Sequence, residues 1–378
     1  MRILDSGSDA DLQEAGALLR RGEVVAIPTE TVYGLAADAS NPAAIARIYA
    51  IKGRPDNKPL PVLVSGLENA ACLCHITPAA HVLTALYWPG PLTLILPADS
   101  GTLAVRCPDH PAALAVLRHA GVPLALTSAN RSGEPPPSSA SQITLTGLGG
   151  IVDGGPCAVG RPSAILDLTK DPPELLRHSA AVIGVTGGSG AGKSAVMDRL
   201  KELGAATIRA DTVYHALLQS NKAMLNELRE RFPETFPRLG GPFDRARMRE
   251  IAFSNPAALT ALNHITHPYV LAEIRREMGR VFLDNKDTPV AIEAIALIGS
   301  GLDSLCTVKI AVTATFEARI KRVMSRDGLL REEALARLRN QKTDEFYKTN
   351  CNMIIENNET AADLFERVDN VWKSHVTS

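Results

Sequence analysis

Eight consecutive residues, Gly187-Gly188-Ser189-Gly190-Ala191-Gly192-Lys193-Ser194, restrict the fold of this chain more than any other segment. They satisfy G-x-x-x-x-G-K-[ST] in full, with the apolar run VIGVT before them and the helical pattern AVMDRLKEL after them. In that setting the backbone N–H groups, those of Gly188, Gly190, Ala191 and Gly192 included, are expected to wrap a phosphate. The N-terminus of the following helix adds positive potential. Lys193 is expected to reach the β- and γ-phosphates of ATP, and the Ser194 hydroxyl to ligate Mg²⁺.

The same segment divides the chain. Of the 25 prolines in 378 residues, 19 precede position 181. The proline-rich part alternates short Val/Ile/Leu runs (VVAIP, LPVLV, LTLILP, VPLALTS, AILDL) with helical patterns such as NPAAIARIYAIKG. There Asn41 is a natural N-cap and Pro42 a natural first helical residue. The later part has longer helical stretches, among them KAMLNELRERF and PYVLAEIRREMGRVF, after strand-like runs VIGVTG, TPVAIEAIAL and TVKIAVTA. Strand followed by helix, repeated, is the pattern of a parallel, doubly wound sheet. The expectation is two α/β domains, residues 1–179 and 181–378, each of ordinary size.

The formal net charge of −1 lacks the basic excess of a general nucleic-acid-binding protein. The six cysteines form no C-x-x-C pair, which implies neither a zinc site nor a disulfide framework. No apolar run reaches the length of a membrane span, and MRILDSGSDADLQ has no apolar signal core, so a cytoplasmic location is expected.

In the later domain, AATIRADTVYHALL reads as a second strand ending in Asp211. A carboxylate there suits a general base for an acceptor hydroxyl, and equally suits a helix cap. The wider residue set resembles dephospho-CoA kinase. Its pieces are TGGSGAGKS (186–194), ADTVYH (210–215), FDRARMREIAFSNP (243–256), NHITHP (263–268), SRDG (325–328), RNQ (339–341) and IIENN (354–358). The resemblance implies that Asp211 takes the proton of a ribose 3′-hydroxyl. It also makes the segment from Arg319 to Gln341 a lid over ATP, with Arg326 neutralising the transferring phosphoryl group and Arg331 a second candidate. His267, before Pro268, would line the acceptor pocket, or serve a structural role at a helix start. Where the family usually carries a Glu this chain has Gly299-Ser300, and Glu293 earlier on that strand is the candidate for Mg²⁺ or substrate.

In the earlier domain, hydroxyls and cations are spaced through loops, and Lys52, Arg54, Lys58, Arg106 and Arg177 together suit a polyphosphate and a carboxylate. No Ser-His-Asp or Cys-His grouping suggests a covalent nucleophile. The order PTETVYGLA, KGRP, WPGPLTL, AVR, TSAN, DL and LLR resembles the YrdC-like threonylcarbamoyl-AMP synthase family. That family joins L-threonine, bicarbonate or CO₂, and ATP, giving threonylcarbamoyl-AMP and pyrophosphate. Other proteins use the product for the t6A base of tRNA, which makes them expected partners. The resemblance assigns threonine to Thr31, Arg106 and Ser163. It assigns the nucleotide to Lys52, Arg54, Lys58, Thr102, Ser128, Asn130 and Arg177. Ala164 replaces a hydroxyl-bearing family residue, and Leu63 stands where some members have a threonine-binding His.

Three readings compete. The chain is a bifunctional enzyme; or an active kinase behind a nucleotide- or RNA-binding module; or a kinase behind an interaction domain that has lost its chemistry. Aromatics are only 4% of the residues and none interleaves with the cations, which disfavours a stacking platform for RNA.

Overall fold

The computed structural model describes residues 2–53, 59–236, 241–339 and 341–376. The chain forms two compact units, Met1–Ser179 and Ala180–Ser378.

The first unit is built on a mixed sheet: β1 (Arg2–Asp5), β2 (Val25–Ile27), β3 (Gly34–Asp38), β4 (Val62–Leu63), β5 (Leu92–Ala98), β6 (Gly101–Arg106), β7 (Leu124–Ser128), β8 (Gly150–Asp153), β9 (Ala164–Asp167) and β10 (Glu174–Arg177). The order is β1-β8-β2-β3-β7-β4-β6-β5-β9-β10. Its helices are α1 (Asp9–Arg20), α2 (Pro42–Lys52), α3 (Leu67–Ala71), α4 (Pro78–Tyr87) and α5 (Pro111–Ala120). Side chains alternate across a strand, so Val25 and Ile27 enter one buried cluster while Val24 and Ala26 enter another. Both faces are therefore covered at β2, which is why the run reads as continuously apolar. Asn41 caps α2 as its sequence suggests, accepting from the N–H groups of Ala43 (3.0 Å) and Ala44 (3.2 Å). Gly53 ends that helix at φ +61°, a conformation glycine adopts without steric cost. The helix thus delivers Lys52 at its last turn.

The second unit has five strands, β11 (Val182–Thr186), β12 (Ala206–Arg209), β13 (Val290–Glu293), β14 (Val308–Thr313) and β15 (Met353–Glu356). They lie in the order β12-β13-β11-β14-β15 and every neighbouring pair is parallel. The helices are α6 (Lys193–Glu202), α7 (Ala210–Ser220), α8 (Lys222–Arg231), α9 (Arg245–Ser254), α10 (Pro256–Asp284), α11 (Phe316–Asp327), α12 (Arg331–Arg339), α13 (Asp344–Asn350) and α14 (Ala361–His375). Glu293 stands opposite Val185 on one neighbour and Arg209 on the other. This register brings the ends of β11, β12 and β13 to one edge, the edge where open parallel sheets bind ligands.

Two local readings are corrected here. The second strand stops at Arg209, and Asp211 sits exposed in the first turn of α7 without capping it. Pro268 does not open a helix; α10 runs through it from Pro256 to Asp284. Proline withholds one N–H from the His264 carbonyl, but Thr266, Val270, Ile274 and Met278 form a buried face that continues across it. Packing of that face outweighs the local preference.

Candidate active sites

In the second unit the glycine-rich loop leaves β11 and wraps back into α6. Gly187, Gly190 and Gly192 take φ of +138°, +76° and +108°, where a Cβ would be strained. A Cβ on Gly192 would also lie 2.0 Å from the side-chain nitrogen of Asn357, which donates to the Ala191 carbonyl (2.8 Å). Lys193 Nζ donates to the carbonyls of Gly187 (2.9 Å) and Gly188 (3.2 Å). Burial pulls its pKa down, opposed chiefly by the negative charge of Glu293.

The loop forms one wall of a cavity of about 550 Å³. Lys193, Ser194, Arg209, Asp211, Tyr214, His267, Glu293, Arg326 and Arg337 all line it. Four cations thus face two carboxylates, a balance suited to a polyanion such as a nucleotide triphosphate. Among the described residues the Asp211 carboxylate accepts no hydrogen bond, so it is available as a proton acceptor. The hydroxyl of Ser194 and the carboxylates of Asp211 and Glu293 are hard oxygen donors that fit Mg²⁺. Among the described residues no group of three or more His, Cys, Asp or Glu side chains could hold a metal by itself. A cation here would need oxygens from its phosphate partner, which is how Mg²⁺ usually binds at such sites. Burial pushes the pKa of His267 down, favouring the neutral ring.

The cations of the segment expected to form a lid are arranged differently from the reading of the sequence. Arg326 is exposed and grips Asp327 through both carboxylate oxygens (2.7 and 2.8 Å). Arg337 donates to the same carboxylate at 2.7 Å. Arg331 lies apart, paired with Glu317 at 2.8 Å, and does not line the cavity. The partner of Arg326 there is Arg337. Gly299, at φ +84°, is exposed, and Glu293 supplies the carboxylate at the cavity instead.

In the first unit, β6 ends in Arg106, a buried cation beside Leu63 on β4. Its Nη2 donates to Glu30 Oε1 (2.6 Å) and Thr31 Oγ1 (2.9 Å), and its Nε donates to the Gly90 carbonyl (3.3 Å). Thr29 Oγ1 accepts from the backbone of Val32 and lies 2.8 Å from the Thr31 hydroxyl, so the turn after β2 is held from within. Lys52 is also buried; Nζ donates to the carbonyls of Ser128 and Asn130 and, at 3.3 Å, to the Asn130 side-chain oxygen. It thereby ties the end of α2 to the loop after β7. Arg177 donates through Nε to the Ser163 carbonyl (2.6 Å) and through Nη2 to the Ser163 hydroxyl (3.1 Å), which is 3.0 Å from Thr93 Oγ1. Ala164 is buried in β9, and Thr102 is exposed near the far end of β6 from Arg106. Arg54 and Lys58 lie outside the described residues.

Residues 17–179 match the profile of the Sua5/YciO/YrdC family, described as telomere recombination, and residues 181–363 match that of dephospho-CoA kinase. The chain joins a Sua5/YciO/YrdC domain to a dephospho-CoA kinase domain. The first domain is 46% identical over 187 residues to a threonylcarbamoyl-AMP synthase of Bacillus subtilis, covering 46% of this chain and 54% of that one. It is 41% identical over 177 residues to one of Pyrococcus abyssi, covering 43% and 52%. The chain thus spans about half the length of these curated relatives. Among solved structures, a dephospho-CoA kinase from Campylobacter jejuni is 27% identical with a TM-score of 0.35, over 52% of this chain and 98% of that one. A P. abyssi Sua5 complexed with L-threonine is 23% identical with a TM-score of 0.46, over 87% and 98%.

Several residues of the two domains escape a reading of sequence. In the Sua5/YciO/YrdC domain Glu30 lies between Thr29 and Thr31 in the motif PTETVYGLA, and its pairing with Arg106, 76 residues away, has no local pattern. In the kinase domain Arg337 differs from Arg331 only by place on one helix. The contact between Gln341 and Ser189 spans 152 residues and has no local pattern.

Proposed function

We propose that the chain is a bifunctional enzyme. Residues 181–378 transfer the γ-phosphoryl group of ATP to the ribose 3′-hydroxyl of dephospho-CoA, giving CoA. Residues 1–179 condense L-threonine, bicarbonate or CO₂, and ATP into threonylcarbamoyl-AMP and pyrophosphate, a product for t6A modification of tRNA by other proteins.

The observation that carries the reading is the cavity where Lys193, Asp211, Glu293, Arg326 and Arg337 meet. Phosphoryl transfer needs little covalent help from a protein. It needs an aligned acceptor, a place for the proton, and positive charge around the transferring group. Asp211 takes the acceptor proton. The loop N–H groups and Lys193 hold the β- and γ-phosphates, while Arg326 and Arg337 come from the other wall to neutralise the equatorial oxygens. Ser194, with Glu293 or Asp211, would hold Mg²⁺, which neutralises phosphate charge when bound. His267 in its neutral form borders the acceptor.

In the synthase domain Arg106 and Thr31 receive the carboxylate and hydroxyl of threonine, and Ser163 stands beside them. Ser128, Asn130 and Arg177, with Lys52, Arg54, Lys58 and Thr102, serve the nucleotide. With no covalent nucleophile, rate comes from positioning and charge.

The test is to incubate the protein with ATP and Mg²⁺, adding dephospho-CoA in one tube and L-threonine with bicarbonate in another, and to read products by mass spectrometry. CoA and threonylcarbamoyl-AMP, each in its own tube, are expected. CoA alone would leave the first domain as a binding module and send attention to tRNA.

A further inference from the structure

Glu30 poses a problem that the residue assignments above leave open. Its side chain is 9% exposed, and only one oxygen is used: Oε1 accepts from Arg106 at 2.6 Å. Oε2 is buried and has no hydrogen-bond partner among the described residues. A buried carboxylate oxygen without a donor costs more than almost any other polar defect, so native sites supply one. The groups whose charge acts with Glu30 offer none. Cys107, with its thiol pushed up to about 11 by burial, His110 and Cys157 all sense the negative charge of Glu30, yet none bonds to it. His110 Nδ1 is itself buried without a partner among the described residues.

Arg106 is half used in the matching way. Nε and Nη2 are engaged by Gly90, Glu30 and Thr31, and Nη1 donates to none of the described residues. One ion pair therefore holds a cationic nitrogen and an anionic oxygen that none of the described residues uses. An α-amino acid is the complement, a carboxylate and an ammonium on one carbon.

We propose that Glu30 Oε2 receives the α-ammonium of the amino-acid substrate while Arg106 receives its carboxylate, so that this ion pair selects the zwitterion over a hydroxy acid of the same shape. The proposal rests on the synthase reading. It makes Glu30 a specificity-determining residue, and explains why a salt bridge is buried where an apolar pair would be simpler to accommodate.

Isothermal titration of the full chain with L-threonine and with 2,3-dihydroxybutanoate, in which a hydroxyl replaces the ammonium, tests it. The unaltered protein is expected to prefer threonine by at least about tenfold, the usual worth of a charge-assisted hydrogen bond. Glu30→Gln should weaken threonine about tenfold or more and leave the hydroxy acid within about threefold, with ATP binding close to the unaltered protein and a lower melting temperature, because Arg106 loses its buried counter-charge. Glu30→Asp should restore part of the preference. Equal loss of both ligands, or no loss of either, would overturn the proposal. If Glu30→Gln does not fold, the ratio measured on the unaltered protein decides alone, and a ratio near one overturns it. Binding and turnover of threonine with no effect at Glu30 would sink this inference and spare the synthase reading; no binding of threonine by the unaltered protein would remove both.

Discussion

Gln341 holds Ser189 at two points: its side-chain oxygen accepts from the Ser189 N–H at 2.9 Å and its nitrogen donates to the Ser189 hydroxyl at 2.7 Å. The same oxygen accepts from Arg319 Nη2 at 2.7 Å, and Arg319 Nε donates to the Ser189 carbonyl at 3.1 Å. The glycine-rich loop, α11 and Gln341 are thus joined by a closed ring of three residues. Gln341→Ala leaves Arg319 Nη2 and a loop N–H without their acceptor, while Arg319 Nε keeps the Ser189 carbonyl, a loss of about 1–3 kcal/mol. The melting temperature of the kinase domain should fall by roughly 2–12 °C. Gln341→Glu keeps the acceptor and should recover most of it. A melt unchanged by Gln341→Ala would show that the ring does not form.

Gly188 belongs to that ring through what it lacks. A Cβ there would stand 2.1 Å from Arg319 Nη2 and 2.9 Å from the Gln341 oxygen. Gly188→Ala should therefore reproduce the loss seen in Gln341→Ala, and the two changes together should cost well under their sum, as coupled neighbours do. Additive melting shifts in the double variant would refute the coupling.

Much of this was legible beforehand and some could not be. The loop at 187–194 declares itself because φ values such as +138° at Gly187 demand glycine at fixed spacing. Asn41 and Pro42 announce the start of α2 because helix-start signals are local chemistry. Asp211 was misplaced because a β-branched run flows into its helix with no capping residue at the junction, where Arg209 is the N-cap. Pro268 misled because a local breaker was overruled by a buried face assembled from distant chain. Arg331 and Arg337 are equivalent as sequence; only the position of Asp327 separates the one that lines the cavity.

Glu293, not a residue at position 299, should carry the carboxylate function of the kinase cavity. Glu293→Gln is expected to lower kcat for CoA formation by about ten- to a hundredfold. Gly299→Glu should bring no gain, because φ +84° strains any side chain there. Steady-state rates of the two variants decide it; a faster Gly299→Glu enzyme would point to a missing ligand at 299.

Two histidines contribute to the loss of stability in mild acid. Burial lowers the pKa of both His110 and His267 from the ordinary 6.5, so each binds a proton more readily unfolded than folded. Their contribution is full above 6.5 and is lost as pH falls from there through the folded values. Thermal melts from pH 7.5 to 5 should show falling stability below 6.5, and His267→Gln should flatten part of that slope. A slope unaltered in His267→Gln would assign the acid loss elsewhere.

The most direct measurement of two independent ATP-dependent sites on one chain is a crossed inactivation read by mass spectrometry. Lys193→Ala should cut CoA formation by about two to three orders of magnitude and leave threonylcarbamoyl-AMP formation unchanged. Arg54→Ala should do the reverse. Loss of both products in either variant would contradict independence, and survival of CoA formation in Lys193→Ala would contradict the assignment of the kinase site itself.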